Sequence, residues 1–267
     1  MAAKAFLLAL LFATGAQAAP PADPLGSPNW TALAQTFFGD DPVRFDPLLI
    51  VHFPAIAENQ RQFPVQVDAR ALGQVKRILI FADLNPIPLA IDFAPGPHAR
   101  PFIATRIKLD QRTPVRAAAQ LADGSWAAAG GWIDAAGGGC SAPPVSRVRG
   151  DWAQHLGEVR GRAIATDGVA RVQLSFRHPM DTGFVANIPT YNLETVTLSD
   201  RDGNEYGIVS LEASVSEDPA LTLLVDAAPG SVVAVTGRDT SGIEYDARLP
   251  VTAASPSTST PVGAARP

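Results

Sequence analysis

The chain comprises 267 residues, 46% hydrophobic and 18% charged, with 24 prolines and 22 glycines, which fits a globular, turn-rich protein and excludes the disordered and collagen-like classes. Its 21 basic against 26 acidic residues, a formal net charge of -5, lack the basic excess that a nucleic-acid partner requires. The single cysteine, Cys140, rules out an intrachain disulfide framework and any four-thiolate metal or cluster site.

Residues 1–18 carry Lys4, an apolar run over 5–13 and the triplet Ala16-Gln17-Ala18, the pattern of a cleavable secretory signal with cleavage expected after Ala18. The run is shorter than the roughly 20 residues of a membrane span, so an exported chain without stable membrane insertion is expected. Residues 19–29 read as a linker. Leu33, Phe37 and Phe38 then predict one short helix over 30–38, ending near Gly39. From there the period becomes that of strands, with runs at 47–53, 63–69, 75–81, 89–93, 102–109, 115–121 and 126–133. Asp123-Gly124, between the last two runs, offers the positive-φ residues of a tight antiparallel hairpin.

The stretch 135–144 has no side chains able to build a core and marks a candidate domain boundary. A second series of runs follows at 158–165, 170–176, 193–198, 206–211, 221–225, 232–235 and 243–251, with turn signals at Asp167-Gly168, Asp202-Gly203 and Ser241-Gly242. Residues 253–267, rich in Ser, Thr, Pro and Ala, predict a disordered tail. The expected fold class is all-β: two antiparallel β-sandwich domains in tandem, over 30–136 and 157–252, with a short N-terminal helix and a glycine-rich cysteine arm and linker over 137–156.

An unpaired cysteine is most often a small buried hydrophobe. Cys140 has Gly137, Gly138 and Gly139 before it and Ser-Ala-Pro-Pro after it, which places it outside any strand or helix with little bulk to cover it, so exposure is expected. An exposed thiol is an oxidation liability in an exported protein, and its retention points to use of its reactivity. The glycines predict a slender, mobile arm: five residues extend about 17 Å at roughly 3.4 Å each, enough to carry a bound group into a partner's cleft. Arg147 and Arg149 are candidates for favouring the thiolate or attracting an anionic group on it; a solvated linker charge is the competing reading.

Other constellations are weak. The histidines at 52, 98, 155 and 178 form no His-x-x-x-His pair, and there is no Gly-x-Ser-x-Gly elbow, so neither zinc hydrolysis nor an α/β-hydrolase is signalled. A Cys-His catalytic pair needs a rigid base and oxyanion site, which a triglycine arm does not supply. Gly137-x-Gly139-x-x-Ala142 imitates a dinucleotide loop, but prolines stand where its helix should run. His178-Pro179-Met180 lacks the further converging ligands of a copper site, and Asn29-Trp30-Thr31, which fits a glycosylation acceptor, is assigned no role.

Over about 33–140, the segments Ala57-Glu58-Asn59, Phe63-Pro64-Val65, Ile80-Phe81-Ala82-Asp83-Leu84-Asn85-Pro86 and Thr105-Arg106-Ile107, with the Gly-Gly-Cys arm, resemble SoxY, the sulfur-carrying subunit of a periplasmic thiosulfate-oxidising system. Over about 158–251, the segments Arg177-His178-Pro179-Met180-Asp181-Thr182-Gly183, Ile188-Pro189 and Val215-Ser216-Glu217-Asp218-Pro219, with the closing 239–245 hairpin, resemble its partner SoxZ. The whole is similar to the fused SoxYZ-like carriers associated with quinoprotein dehydrogenases.

The resemblance implies two immunoglobulin-like sandwiches and a periplasmic carrier that is not itself an enzyme and holds no separate cofactor. Cys140 would be the covalent attachment site of a sulfur intermediate, Gly137, Gly138 and Gly139 the swinging arm. The implied partners are redox or hydrolytic enzymes of sulfur oxidation, or a quinoprotein dehydrogenase system. The family's cysteine lies in Gly-Gly-Cys-Gly-Gly at a free C-terminus; here Ser141 follows and 127 residues remain, which makes the arm a loop held at both ends. A different class of function, a noncatalytic adaptor of a periplasmic dehydrogenase with an incidental thiol, is the alternative.

Overall fold

A computed structural model describes residues 21–254; the expected signal segment and most of the expected tail lie outside the described residues. Helix α1 (Trp30–Phe38) is followed by β1 (Val43–Phe45), β2 (Ile50–His52), β3 (Ile56–Ala57), β4 (Phe63–Asp68), β5 (Val75–Ala82), β6 (Leu89–Pro95), β7 (Ala99–Ile107), β8 (Thr113–Leu121) and β9 (Trp126–Ala135). A short helix α2 (Val145–Arg149) leads to β10 (Val159–Thr166), β11 (Val169–Phe176), β12 (Leu193–Ser199), β13 (Glu205–Leu211), β14 (Ala220–Asp226), β15 (Val232–Asp239) and β16 (Glu244–Ala253). The fold is mostly β, as expected, with the short helix at its N-terminal end.

Helix α1 forms because Trp30, Leu33, Ala34 and Phe38 fall on one face, and it stops at Gly39, whose φ of 59° few other residues adopt. That face packs on Leu79, Phe81, Ala118, Trp126 and Ala128 from the outer side of β5, β8 and β9, which explains why β8 is buried along most of its length instead of alternating. The preceding residues are docked as well: Trp30 Nε1 donates to Pro21 O, Trp132 Nε1 donates to Leu25 O, and Asp23 meets the fully buried Arg116 at 2.7 Å.

The two series of strands do not stand apart. In one layer the order is β1-β9-β8-β5-β6-β13-β12-β15-β16, and in the other β2-β4-β7-β14-β11-β10. Strand β6 of the first series pairs antiparallel with β13 of the second, Ile91 opposite Leu211, and β7 pairs with β14, Ile103 opposite Leu223. Both layers thus run unbroken across the two halves, and one cluster of buried side chains reaches from Leu49 to Val251. Strand β16 pairs with β15 and then, through Val251 to Ala253, with β10, joining the layers at the far end. Ala253 therefore belongs to a strand, and Ala254 N donates to Ala165 O.

Two small departures from the sequence reading are local. Strands β1 and β3 add in parallel to β9 and are too short to show a period. Of the expected tight turns, Asp167-Gly168 has positive φ at both positions (51° and 79°), whereas at Asp123-Gly124 only the glycine does, and the Asp123 carboxylate instead accepts from Ser125 N and Oγ. Among the described residues no helix is long and apolar enough to cross a membrane.

Candidate functional site

Cys140 sits where β7, β9 and the second half meet. Just past β7, the segment 108–110 is fixed by Asn85, whose Nδ2 donates to Lys108 O at 2.7 Å and whose Oδ1 accepts from Asp110 N at 3.0 Å. Lys108 N donates to Ser214 O at 2.7 Å, which ties this segment to the second half. The chain leaving β9 is laid on that platform.

The glycines are what permit this. Gly138 N donates to Asp110 O, Gly139 N donates to Leu109 O, and Gln60 Nε2 donates to Gly137 O at 2.8 Å. Gly137 and Gly138 take φ of 102° and 81°, and a Cβ on Gly139 would overlap the carbonyl oxygens of Gln60 and Leu109. The Asp110 carboxylate accepts three bonds, from Cys140 N at 3.0 Å, Ser141 N at 3.2 Å and Ser141 Oγ at 2.9 Å. From the second half, Thr182 Oγ1 donates to Cys140 O at 2.5 Å.

Two expectations are corrected here. Cys140 is not exposed: it retains 1% of its surface, because a backbone without side chains can be threaded between two carbonyl-lined walls as easily as it can swing free. The 137–139 arm is accordingly docked by backbone hydrogen bonds in this conformation. Nor is Arg147 the cation beside the sulfur. Its guanidinium pairs with both oxygens of Asp181 and lies 3.8 Å over the Trp152 ring, while Arg149 is exposed on α2.

The cation that acts on the thiol is Lys108, 4% exposed, which the sequence reading missed. Its Nζ donates to Met180 O and to Ala213 O at 2.8 Å. Burial pulls the ammonium down to about 8, against the opposing pull of Cys140, Asp181 and Glu217. Burial pushes the Cys140 thiol up to about 12; Lys108 opposes that rise and Asp110 adds to it. In the docked conformation the sulfur is therefore a protonated, weakly nucleophilic thiol. Lysine stands at only three positions in this arginine-rich chain, 4, 76 and 108, a signal that was available.

The wall from the second half is built by the two motifs that carried the SoxZ resemblance. In 177–183, Met180 (φ 52°) offers its carbonyl to Lys108, Asp181 holds Arg147, and Thr182 holds Cys140. In 215–219, Glu217 accepts from Val145 N and Ser146 N, both at 2.7 Å, and so anchors the start of α2, while Asp218 Oδ1 accepts from His178 N at 3.2 Å. His178 is buried; its Nδ1 accepts from Met180 N at 2.9 Å and its Nε2 lies 3.6 Å from Asp239 Oδ2. Burial holds its pKa down at about 4, so it is neutral, consistent with its role as an acceptor for the Met180 turn. Met180 Sδ faces Leu193 N, and among the described residues no group of three His, Cys, Asp or Glu side chains is placed to hold a metal.

Comparison with known proteins bears on the first half. Residues 34–140, a segment that ends on Cys140, match the family described as sulfur oxidation protein SoxY. Among solved structures, the chain is similar to the sulfur carrier protein SoxY from Chlorobium limicola f thiosulfatophilum, at 21% identity over 40% of this chain and 96% of that chain, with a TM-score of 0.36. It also matches a β-glycosidase from Bacteroides vulgatus (11% identity, 77% of this chain, 25% of that chain, TM-score 0.23). A third match is SGBP-B of the Bacteroides ovatus mixed-linkage glucan utilization locus, in complex with a mixed-linkage heptasaccharide (12% identity, 80% of this chain, 46% of that chain, TM-score 0.23). These superpositions are too loose to carry an argument, and the family match stands on its own. No curated protein matches the chain.

Proposed function

We propose that this chain, whose residues 34–140 form a SoxY-type domain, is a periplasmic sulfur carrier that holds a sulfur intermediate covalently on Cys140 and presents it to separate enzymes of sulfur oxidation. The observation that carries the reading is the construction of the site. The backbone on both sides of the only cysteine is held by Gln60, Asp110 and Thr182, a socket that releases a loop only through several hydrogen bonds. Each such bond contributes about 0.5–1.5 kcal/mol net, so undocking is uphill by several kcal/mol and is favoured by a partner that takes over the loop.

Loading an undocked thiol with a sulfur anion as a disulfide-type bond removes two electrons and the thiol proton, so the carrier needs an electron-accepting partner; unloading by hydrolysis transfers the terminal oxidised group to water, exchanges no electrons and needs a separate hydrolytic partner. The chain supplies the sulfur and its presentation, with 137–139 as the flexible segment. The second half, on this reading, is a SoxZ-type unit fused to the carrier domain, and it contributes Thr182, which holds the Cys140 carbonyl of the resting loop, and the Met180 carbonyl, which accepts from Lys108 of the first half.

One observation favours the second reading, an adaptor of a periplasmic quinoprotein dehydrogenase with an incidental thiol: the docked sulfur is buried and hard to ionise. Mass spectrometry of the Cys140 peptide, from protein taken from its native compartment before and after reduction, separates the two. A reducible adduct of sulfur, or of sulfur and oxygen, supports the carrier, and Cys140→Ser should abolish loading and pathway flux. A bare thiol even with sulfur donors and partner enzymes supplied, with partner co-purification unchanged in Cys140→Ser, supports the adaptor.

A further inference from the structure

A cavity of about 70 Å³ lies beneath the Cys140 loop, walled by Gly139, Ala142 and Pro143 from the loop, by Arg61 and Lys108 from the first half and by Glu217 from the second. Its walls are mostly apolar, with Arg61, Lys108 and Glu217 as the charged residues that line it; a water occupies roughly 10–15 Å³ in the same measure, so there is room for a group of a few heavy atoms. Its charges are unequally satisfied. Glu217 accepts two backbone N–H bonds, Asp110 accepts three bonds from Cys140 and Ser141, and Asp181 is paired with Arg147. Lys108 is different: its ammonium has three donors, two go to neutral carbonyl groups, and among the described residues no carboxylate lies within 4.0 Å of it. A buried cation with no carboxylate in direct contact is costly to keep, and an anion that reaches it gains an interaction little diminished by water.

We infer that this cavity is an anion site in which Lys108, assisted by Arg61 at the wall, receives the oxyanion end of the group carried on Cys140 when the loaded loop is docked. This deepens the carrier reading and rests on it for the natural cargo. The charge on the cargo then does two things. It holds the loaded loop in the socket more tightly than the unloaded one, and it selects anionic groups over neutral or cationic groups of equal size. The other ionisable groups facing Lys108 are Cys140, Asp181 and Glu217, with His178 also within its field. Cys140 loses its proton on becoming a disulfide, and the two carboxylates are already engaged, so an added anion has Lys108 as its available partner.

The test uses the full chain with a charged group placed on Cys140. Prolonged incubation with a methanethiosulfonate reagent converts the thiol to a mixed disulfide, Cys140–S–S–R, and releases methanesulfinate, with R either sulfonatoethyl or trimethylammonioethyl. In protein labelled with carbon-13 lysine, which has only three lysines to assign, the Cε–Hε signals report the titration of Lys108 directly. Unmodified protein should titrate near 8, the sulfonate adduct above about 9 and the cationic adduct below 8. In parallel, the sulfonate adduct should melt about 3 °C or more above the cationic adduct, and in Lys108→Gln, which keeps a donor but not the charge, the two should melt together. Equal Lys108 titration in the two adducts overturns the inference without relying on the variant, and so does a melting gap that survives in folded Lys108→Gln. Because the probe is synthetic, a positive result with a bare natural thiol would leave the anion site standing and remove the carrier reading; a natural adduct with no titration difference would do the reverse.

Discussion

Thr182 Oγ1 reaches across the boundary between the two halves of the chain to donate a 2.5 Å hydrogen bond to the main-chain carbonyl of Cys140. Thr182 is itself positioned by the turn that begins at His178, so the cysteine of one half is held shut by a loop of the other. Both residues are buried, and the bond has no solvent to replace it while the loop is docked.

Loss of that bond should make the thiol easier to reach. Thr182→Val leaves the Cys140 carbonyl without its donor at a cost of about 1–2 kcal/mol to the docked state, so alkylation by iodoacetamide should be about 5- to 30-fold faster than in the wild-type protein. Equal rates at matched pH would show that Thr182 does not gate the cysteine.

Asp110 should matter more, because one carboxylate oxygen accepts from Cys140 N, Ser141 N and Ser141 Oγ. Asp110→Ala is expected to raise the alkylation rate beyond the Thr182→Val value, and Asp110→Asn, which keeps an acceptor, should fall between wild type and Asp110→Ala. The opposite order would mean that the backbone bonds of 137–139 alone hold the loop.

His178 imposes an acid limit on stability. Its pKa is about 4 in the folded protein and about 6.5 unfolded, so the unfolded chain takes up the proton first as pH falls; stability is full above 6.5 and declines through that window toward 4. The loss is of order 3 kcal/mol by pH 4. Urea unfolding of wild type and His178→Gln at several pH values should converge as the pH drops; curves that stay parallel would contradict this.

Arg116 is the electrostatic anchor of the first half. Its fully buried guanidinium holds Asp83 at 3.0 Å and Asp23 at 2.7 Å and lies 4.6 Å over the Trp30 ring. Burial raises the Asp83 carboxyl even with Arg116 present. Arg116→Met strands two carboxylates and should cost about 3–5 kcal/mol at pH 7. The cost should shrink at lower pH, where Asp83 takes up its proton more readily in the variant. A pH-independent difference would locate the loss in packing instead.

Much of the fold was legible from the sequence because periodicity reports it well. The run at 63–69 and that at 193–198 gave strands β4 and β12, and the spacing of Leu33, Phe37 and Phe38 gave α1. What alternation cannot say is which strand edges meet, so the joining of β6 to β13 and of β7 to β14 was invisible. At the site, the glycines before Cys140 were read for what they allow in solution, whereas their use is steric: Gly139 fits against Gln60 O and Leu109 O only because it has no Cβ. The roles of Lys108 and Thr182 were hidden for a plainer reason: each lies in a contact with a distant segment, so Lys108 stands in no motif and Thr182, although part of the 177–183 segment, shows nothing there of its bond to Cys140.

The joined layers also bear on what either half could do alone. Without the second half, β6 and β7 would each present a row of unpaired backbone donors and acceptors to water, and without the first, β13 and β14 would do the same. Such naked edges are templates for pairing with other chains. Carrying both halves on one polypeptide keeps these four strands covered from the outset and makes their union independent of protein concentration, so that the cysteine loop finds its socket assembled at any dilution.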